Sequence, residues 1–272
     1  MSQKFLYAEM TWPEIARLAK EDRVAILPAA TIEAHGPHLP LDTDVVICQE
    51  ICLRACQQIP QEVLLLPPIT YGYSAHLMDF PGTISLEGTA LTQCVQGVCQ
   101  SLARHGLNRI LIVNGHGLNP PYLDAAAQSV VAESQGQVVC ATISYWGLAR
   151  LRQVVRELRE SEPGGICHAC EMETSLCLAI RPEMVDMDRA VDDLGLPVPN
   201  SFRIDMFSRV PGSSALMFGP YWSTVSQSGV LGAARKATPE KGERFLEAAA
   251  EGLVEVIGEV KQMPIRPRVD HH

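Results

Sequence analysis

Val24-Ala-Ile-Leu-Pro28-Ala-Ala-Thr-Ile-Glu33-Ala-His35-Gly-Pro-His38-Leu-Pro-Leu-Asp42-Thr-Asp44 begins as an apolar run and ends in a string of acids and imidazoles. The run Val24 to Leu27 reads as a buried strand, extending from Arg23 to Pro28 at its widest. Glu33, His35, His38, Asp42 and Asp44 follow it, spaced by prolines and a glycine. Carboxylate oxygens and imidazole nitrogens are the donors that Zn²⁺, Mn²⁺ or Fe²⁺ accept. In an extended segment Glu33 and His35 point the same way, because one residue separates them. Open α/β sheets place their sites at the carboxyl ends of strands, which is where these residues fall. The plainer reading of the same residues is a polar surface loop with two histidines. Asp44 then opens a helix with Val45, Ile47, Ile51 and Leu53 among its apolar positions. A carboxylate there suits the helix dipole, and it could also bridge two metals.

Working outward, the strand–helix unit recurs. Thr11-Trp-Pro-Glu14 carries helix-start signals, with Thr as N-cap and Glu three residues on, for a helix to about Lys20. Val63 to Leu66, Arg109 to Val113 and Gln137 to Ser144 read as further strands. Leu91, Val95, Val98 and Leu102 mark a helix that closes on Arg104-His105-Gly106, where His105 is read as a cap residue. Pro120-Pro121 begins another helix, Leu148 to Glu160 is amphipathic, and Thr238-Pro-Glu starts a last helix to about Val260. This alternation predicts one α/β domain with a mostly parallel sheet flanked by helices on both faces.

Composition narrows the function classes. The chain has 272 residues, 47% hydrophobic and 19% charged, an ordinary globular balance. A net charge of −9 argues against nucleic acid or an anionic membrane surface as partner. No apolar run approaches the roughly 20 residues that span a bilayer, and the N-terminus shows no signal-peptide core. Nine cysteines are an odd number, and Cys48, Cys52 and Cys56 recur on one helix face. Buried free thiols in a reducing cytoplasm are therefore expected. Cys167 and Cys170 form a C-x-x-C around His168, but no second Cys/His pair of similar spacing exists to complete a zinc knuckle. There is no G-x-G-x-x-G after a strand and no P-loop, so a nucleotide cofactor is not expected.

Two more polar clusters stand beside the first. Asn114-Gly-His116-Gly-Leu-Asn119 follows a strand directly, and its glycines are read as letting the backbone turn the imidazole to the sheet edge. His168-Ala-Cys-Glu171-Met-Glu173-Thr-Ser175 precedes the breaker Pro182. On one helix His168 and Glu171 would share a face while Glu173 lies about 140° from His168, so all three can converge only if the helix begins after His168. The loop from Tyr71 to Thr83, with His76, could line a pocket. Residues 186 to 230 show no period, which points to lids or subunit contacts. They include Phe202, Met206, Phe207, Met217, Phe218, Tyr221 and Trp222, which need burial somewhere.

These clusters together resemble the creatininase (creatinine amidohydrolase) family. The resemblance covers nearly the whole chain: the E-x-H-G-P-H-L-P-L-x-T-D run, F-P-G-T-x-S-L at Phe80 to Leu86, N-G-H-G-x-N, and H-A-x-E-x-E-T-S. It implies a single α/β domain that binds two divalent metals and hydrolyses amide-type C–N bonds, in a homo-oligomer, often a hexamer. By the same resemblance Glu33 and His116 hold one metal, His35 the other, and Asp44 bridges. Zn²⁺ is the first choice of ion, with Mn²⁺ or Fe²⁺ as alternatives. The family's further metal-binding glutamate, two residues after the N-G-H histidine, is here Leu118. Glu173 is the first choice to fill that vacancy and Glu171 the second. His168 matches the family's acid/base histidine, and an imidazole titrating near neutrality could protonate the leaving nitrogen. A tryptophan four residues before that histidine is here Gly164, which predicts a more open side and a poor fit to creatinine itself. The expected substrate is a small amide, lactam or formamide. Alternatives are hydrolysis of a non-amide bond, such as C–C in a cyclic ketone, and a silent metal-binding assembly protein.

Overall fold

Residues 24 to 29 alternate between two cores, and that alternation sets the architecture. Val24 and Ile26 enter one apolar cluster while Ala25 and Leu27 enter the other. The computed structural model describes residues 4–195, 205–207, 220–266 and 268–272. β1 (Val24–Ala29) lies inside a sheet of order β2-β1-β3-β4, with β2 Val63–Leu65, β3 Arg109–Asn114 and β4 Val139–Ser144. All its pairings are parallel, and β1 and β3 are in register from Val24 with Arg109 to Ala29 with Asn114.

Helices cover both faces, as the strand–helix alternation requires. On one face lie α3 (Gly88–Arg104) and α4 (Pro120–Glu133), through Leu91, Val95, Cys99, Leu123 and Val130. On the other lie α2 (Thr43–Gln58), α5 (Ala149–Leu158), α6 (Glu171–Ile180) and α7 (Pro239–Gln262), through Ile47, Ile51, Leu151, Leu176, Phe245 and Leu253. α1 (Trp12–Leu18) starts at the predicted capping box of Thr11 and Glu14 and ends two residues short of Lys20. All nine cysteines are free, and Cys48, Cys52 and Cys56 are buried in the second core.

A second, antiparallel sheet was not foreseen. β5 (Ile166–His168), β7 (Leu231–Ala233) and β6 (Asp192–Asp193) pair in the order β5-β7-β6. Strands of two or three residues are too short to show a period of two. Three of the seven large apolar residues of the irregular stretch, Phe202, Met217 and Phe218, lie outside the described residues. Among the rest, Phe207 and Met206 pack on the main core and Trp222 on a small separate cluster, whereas Tyr221 is 60% exposed. Among the described residues no helix is long and apolar enough to cross a membrane.

Candidate metal centre

The strand ends deliver the site. β1 runs into Thr31–Asp42, which is folded back by local bonds: Glu33 N–H donates to the Leu41 carbonyl (3.0 Å), and Ala34 N–H to Thr83 Oγ1 (3.0 Å). Gly36 sits at φ +66°, where a Cβ would stand 2.4 Å from Val230, so only glycine serves. Past β3, Asn114 staples the next turn. Its Oδ1 accepts from His116 N–H (3.0 Å), while its Nδ2 donates to the His116 carbonyl (2.8 Å) and to Ser144 Oγ (2.9 Å). The glycines flanking His116 act differently from the expectation, since neither has a positive φ. A Cβ on Gly115 would meet Cys48 at 2.7 Å and the Asp44 carbonyl at 3.0 Å, so this glycine lets β3 approach α2, while Gly117 faces open space.

Among the described residues three donor groups emerge: Glu33 with Asp44 and His116, His35 with Asp44 and Glu173, and Glu33 with His35 and His168. Within each, the donor atoms lie within 4.8 Å of one another. All six side chains are buried. Of the first motif's five polar residues, Glu33, His35 and Asp44 converge. His38 instead meets Thr174 Oγ1 through Nε2 (2.9 Å), and Asp42 pairs with Arg181 (2.6 Å). Glu171, the second choice for the vacancy, is not in any of the groups. It accepts from the N–H groups of Glu160 and Ser161 (both 2.9 Å) and pairs with Lys241 Nζ (2.7 Å). Glu173 reaches the cluster because α6 begins only at Glu171, while His168 ends β5. Ala169, between them, takes φ +50°, a left-handed turn that costs an L-residue about 1–2 kcal/mol. Cys167 and Cys170 belong to none of the three groups.

The hydrogen bonds fix which imidazole nitrogens are free. His35 Nδ1 donates to the Glu33 carbonyl (3.1 Å), so Nε2 turns a lone pair toward Asp44 Oδ1 (3.1 Å). His116 Nε2 donates to the Tyr73 carbonyl (2.9 Å), so Nδ1 faces Asp44 Oδ2 (3.0 Å) and Glu33 Oε1 (3.3 Å). A lone pair aimed at a carboxylate is repulsive unless a proton or a metal cation lies between them. Protons do hold there: burial opposes charging His35, but Asp44 outweighs it and pushes the pKa up to about 9. Burial likewise opposes His116, yet Glu33 and Asp44 push it up to about 10. Burial, then the nearby Asp44 charge, raises Glu173 to about 7 against the pull of His35. Three buried carboxylates with two outward-tied imidazoles, ligand nitrogens facing in, suit two divalent cations sharing Asp44. Backbone carbonyls and the Ser74 hydroxyl, which donates to Glu33 Oε2, hold the ligands in place.

His168 lies beside this set without being tied to Asp44. Its Nε2 donates to the Ala34 carbonyl (2.9 Å), and Nδ1 lies 3.6 Å from Glu33 Oε1. Burial, then the His35 charge, lowers its pKa to about 4. Neutral His168 is thus a base at rest, and a proton it gives up must first be taken from the reaction. Beside His168 the structure places an aromatic ring that the expectation from Gly164 did not include. The rings of Trp222 and His168 stand nearly perpendicular, at 78°, with centres 5.3 Å apart, and no sequence motif pointed to Trp222. Ser74 and the Tyr73 carbonyl belong to the Tyr71 to Thr83 loop, read from sequence as able to line a pocket, and Asn119 of the N-G-H-G-x-N motif accepts from Tyr73 N–H (3.0 Å).

The family model described as creatinine amidohydrolase matches residues 8–257. A creatinine amidohydrolase of Pseudomonas putida is 33% identical, over 95% of this chain and 98% of its own. A mycofactocin precursor peptide peptidase of Mycolicibacterium smegmatis is 29% identical over 86% and 84%. A 3-dehydro-scyllo-inosose hydrolase of Thermotoga maritima is 23% identical over 94% and 83%. Among solved structures, a creatininase variant of Zn-Zn type superposes with TM-score 0.80 at 32% identity, over 96% of this chain and all of its own. Another, described as creatininase Mn, gives 0.80 at 31% with the same coverage.

Proposed function

The chain belongs to the creatininase (creatinine amidohydrolase) family of hydrolases, and on that premise we propose that it is a metal-dependent amidohydrolase. The observation that carries the reading is Asp44 shared between two donor triads, Glu33–Asp44–His116 and His35–Asp44–Glu173. Glu33, His116 and Asp44 would hold one divalent ion; His35, Glu173 and Asp44 the other. Zn²⁺ or Mn²⁺ suits the mixed oxygen and nitrogen donors. When bound, such ions lower the pKa of a water and polarise a carbonyl oxygen.

The rest of the chemistry falls to the chain's own side chains. His168 Nδ1 faces the cluster and takes the proton that the attacking water gives up. Its Nε2–H stays on the Ala34 carbonyl, which fixes the ring and leaves only Nδ1 to act. His168 then hands the same proton to the departing amide nitrogen, which leaves poorly unless protonated. Trp222, with His76 packed against it, limits water around that transfer by standing beside His168.

The substrate is a small molecule with an amide, lactam or formamide bond, and it is not creatinine. Leu118 has no donor atom, so the second triad is completed from α6 by Glu173 instead. That moves a ligand and with it the substrate pose; a misplacement of about 1 Å can cost about 100-fold in rate. The relatives that act on a precursor peptide and on an inosose support a family scaffold that serves different bonds. Neither nucleic acid nor membrane is a partner, the nine free thiols suit the cytoplasm, and the working form is a homo-oligomer.

The decisive experiment loads the protein with Mn²⁺ or Zn²⁺, counts ions per chain, and assays creatinine beside N-formyl amino acids, lactams and blocked dipeptides. Two ions per chain and hydrolysis of a non-creatinine amide are expected. Creatinine turnover with kcat/KM of about 10⁴ M⁻¹s⁻¹ or more, the low end for true substrates, would refute the claim about creatinine.

A further inference from the structure

Burial across the donor cluster is uneven. Glu33 and His35 are sealed at 1% and 0% exposure, whereas His168 and Glu173 keep 8% and 6%. The cluster therefore comes nearest to solvent on the His168 side, where Trp222 stands, with His76 packed against the indole. The indole is nearly perpendicular to both imidazoles, at 78° to His168 and 86° to His76, with ring centres 5.3 Å away in each case. His76 in turn lies 6.0 Å from His116, so the pair reaches from one end of the cluster to the other.

The indole is seated and not merely resting there. Its N–H donates to the Gly229 carbonyl (3.2 Å), and its body packs with Leu77 and Leu231, bordered by Phe80, Cys167 and Val225. The Ser223 hydroxyl donates to Asp79, so the turns at 75–77 and 222–224 are clasped together. Neither imidazole stacks flat on Trp222. His76 Nδ1 is buried and has no hydrogen-bond partner among the described residues, a buried polar atom that a ligand or water would satisfy. A seated flat ring beside the proposed acid/base residue and an unspent polar atom on the imidazole packed against that ring are the elements of a recognition wall.

Resting on the metal-dependent amidohydrolase reading, we propose that Trp222, buttressed by His76, is the specificity-determining wall of this site and selects amides whose carbonyl carries a flat conjugated group. It supplies from the far end of the chain the aromatic surface that position 164 lacks. Compact aliphatic amides gain little from such a wall, because aromatic attraction needs a π-face on the substrate.

The test uses ligands that need no knowledge of the substrate. Acetohydroxamate and benzohydroxamate carry the same metal-chelating group and differ in the flat ring. Their Kd values are measured by calorimetry on Mn²⁺-loaded wild type, Trp222→Ala and Trp222→Phe, with metal content determined in parallel. The wild type should prefer benzohydroxamate. Trp222→Ala should keep both metals and bind acetohydroxamate within about twofold, while benzohydroxamate weakens about tenfold; Trp222→Phe should recover most of that loss. Equal weakening of both ligands, no weakening of either, or loss of metal from Trp222→Ala would overturn the wall. So would a metal-loaded wild type with no preference between the two. A wild type that takes up no metal and binds neither hydroxamate would instead overturn the hydrolase reading beneath it.

Discussion

His35 directs Nε2 at Oδ1 of Asp44 across 3.1 Å, with its own Nδ1 hydrogen spent on the Glu33 carbonyl. The other Asp44 oxygen faces His116 Nδ1 at 3.0 Å, so one carboxylate serves both triads. Asp44→Ala should therefore empty both metal positions, whereas Glu173→Gln should lose one ion and leave Glu33–His116 occupied. Elemental analysis after dialysis against metal-free buffer reads this directly. One ion retained by Asp44→Ala would remove the bridge.

His168→Ala should keep both metals and lose about 10²–10⁴-fold in rate, the usual contribution of a general acid–base group. With the His168 pKa lowered to about 4, the acid limb of the wild-type pH–rate profile should lie well below the ordinary imidazole value of 6.5. A variant that loses a metal but keeps its activity per bound ion would make His168 a ligand.

Metal loading should release protons. Near pH 7–8 His35 and His116, raised to about 9 and 10, are protonated in the metal-free protein and must deprotonate to bind. About two protons per chain are expected at pH 8, with up to about half a proton more at pH 7 from Glu173, raised to about 7, measured by calorimetry in buffers of different ionisation enthalpy.

The same two histidines set an alkaline stability limit. Their folded pKa values exceed the unfolded value of about 6.5, so their stabilisation is complete below that pH and disappears as pH rises through 9 to 10. Metal-free protein should lose denaturant stability across this window, and metal-loaded protein should lose far less. Equal slopes for the two forms would contradict the protonated pair.

Lys241 and Glu171 hold the start of α6, and so Glu173, in place. Glu171 is fully buried and Lys241 nearly so, with Nζ at 2.7 Å from both Glu171 and Glu160. Lys241→Met leaves the buried carboxylate without its cation and should cost about 3 kcal/mol in urea unfolding. It should also weaken one metal position more than the other, the one that Glu173 completes.

The homo-oligomer now rests on less surface than the sequence suggested, because Phe207, Met206 and Trp222 are used within the chain. Light scattering should still give a multiple of 29.7 kDa, and a monomer at micromolar concentration would end the proposal.

The sequence by itself determined the α/β fold, the parallel strands and five of the six residues of the cluster. Apolar runs bounded by turn residues report strands, and Glu33, His35, Asp44, His116 and His168 fall in motifs too specific to arise by chance. Which carboxylate completes the second triad was not legible. Glu171 and Glu173 are both plausible on spacing, and the choice came from the left-handed Ala169 and from Lys241, 70 residues further on, which claims Glu171. Trp222 was equally invisible, since it lies in a stretch with no period and reaches His168 only through the short antiparallel pairing of β5 with β7. Local pattern records what a residue prefers along its own segment. Which distant charge or ring stands opposite it is decided by packing, and only the tertiary structure contains that.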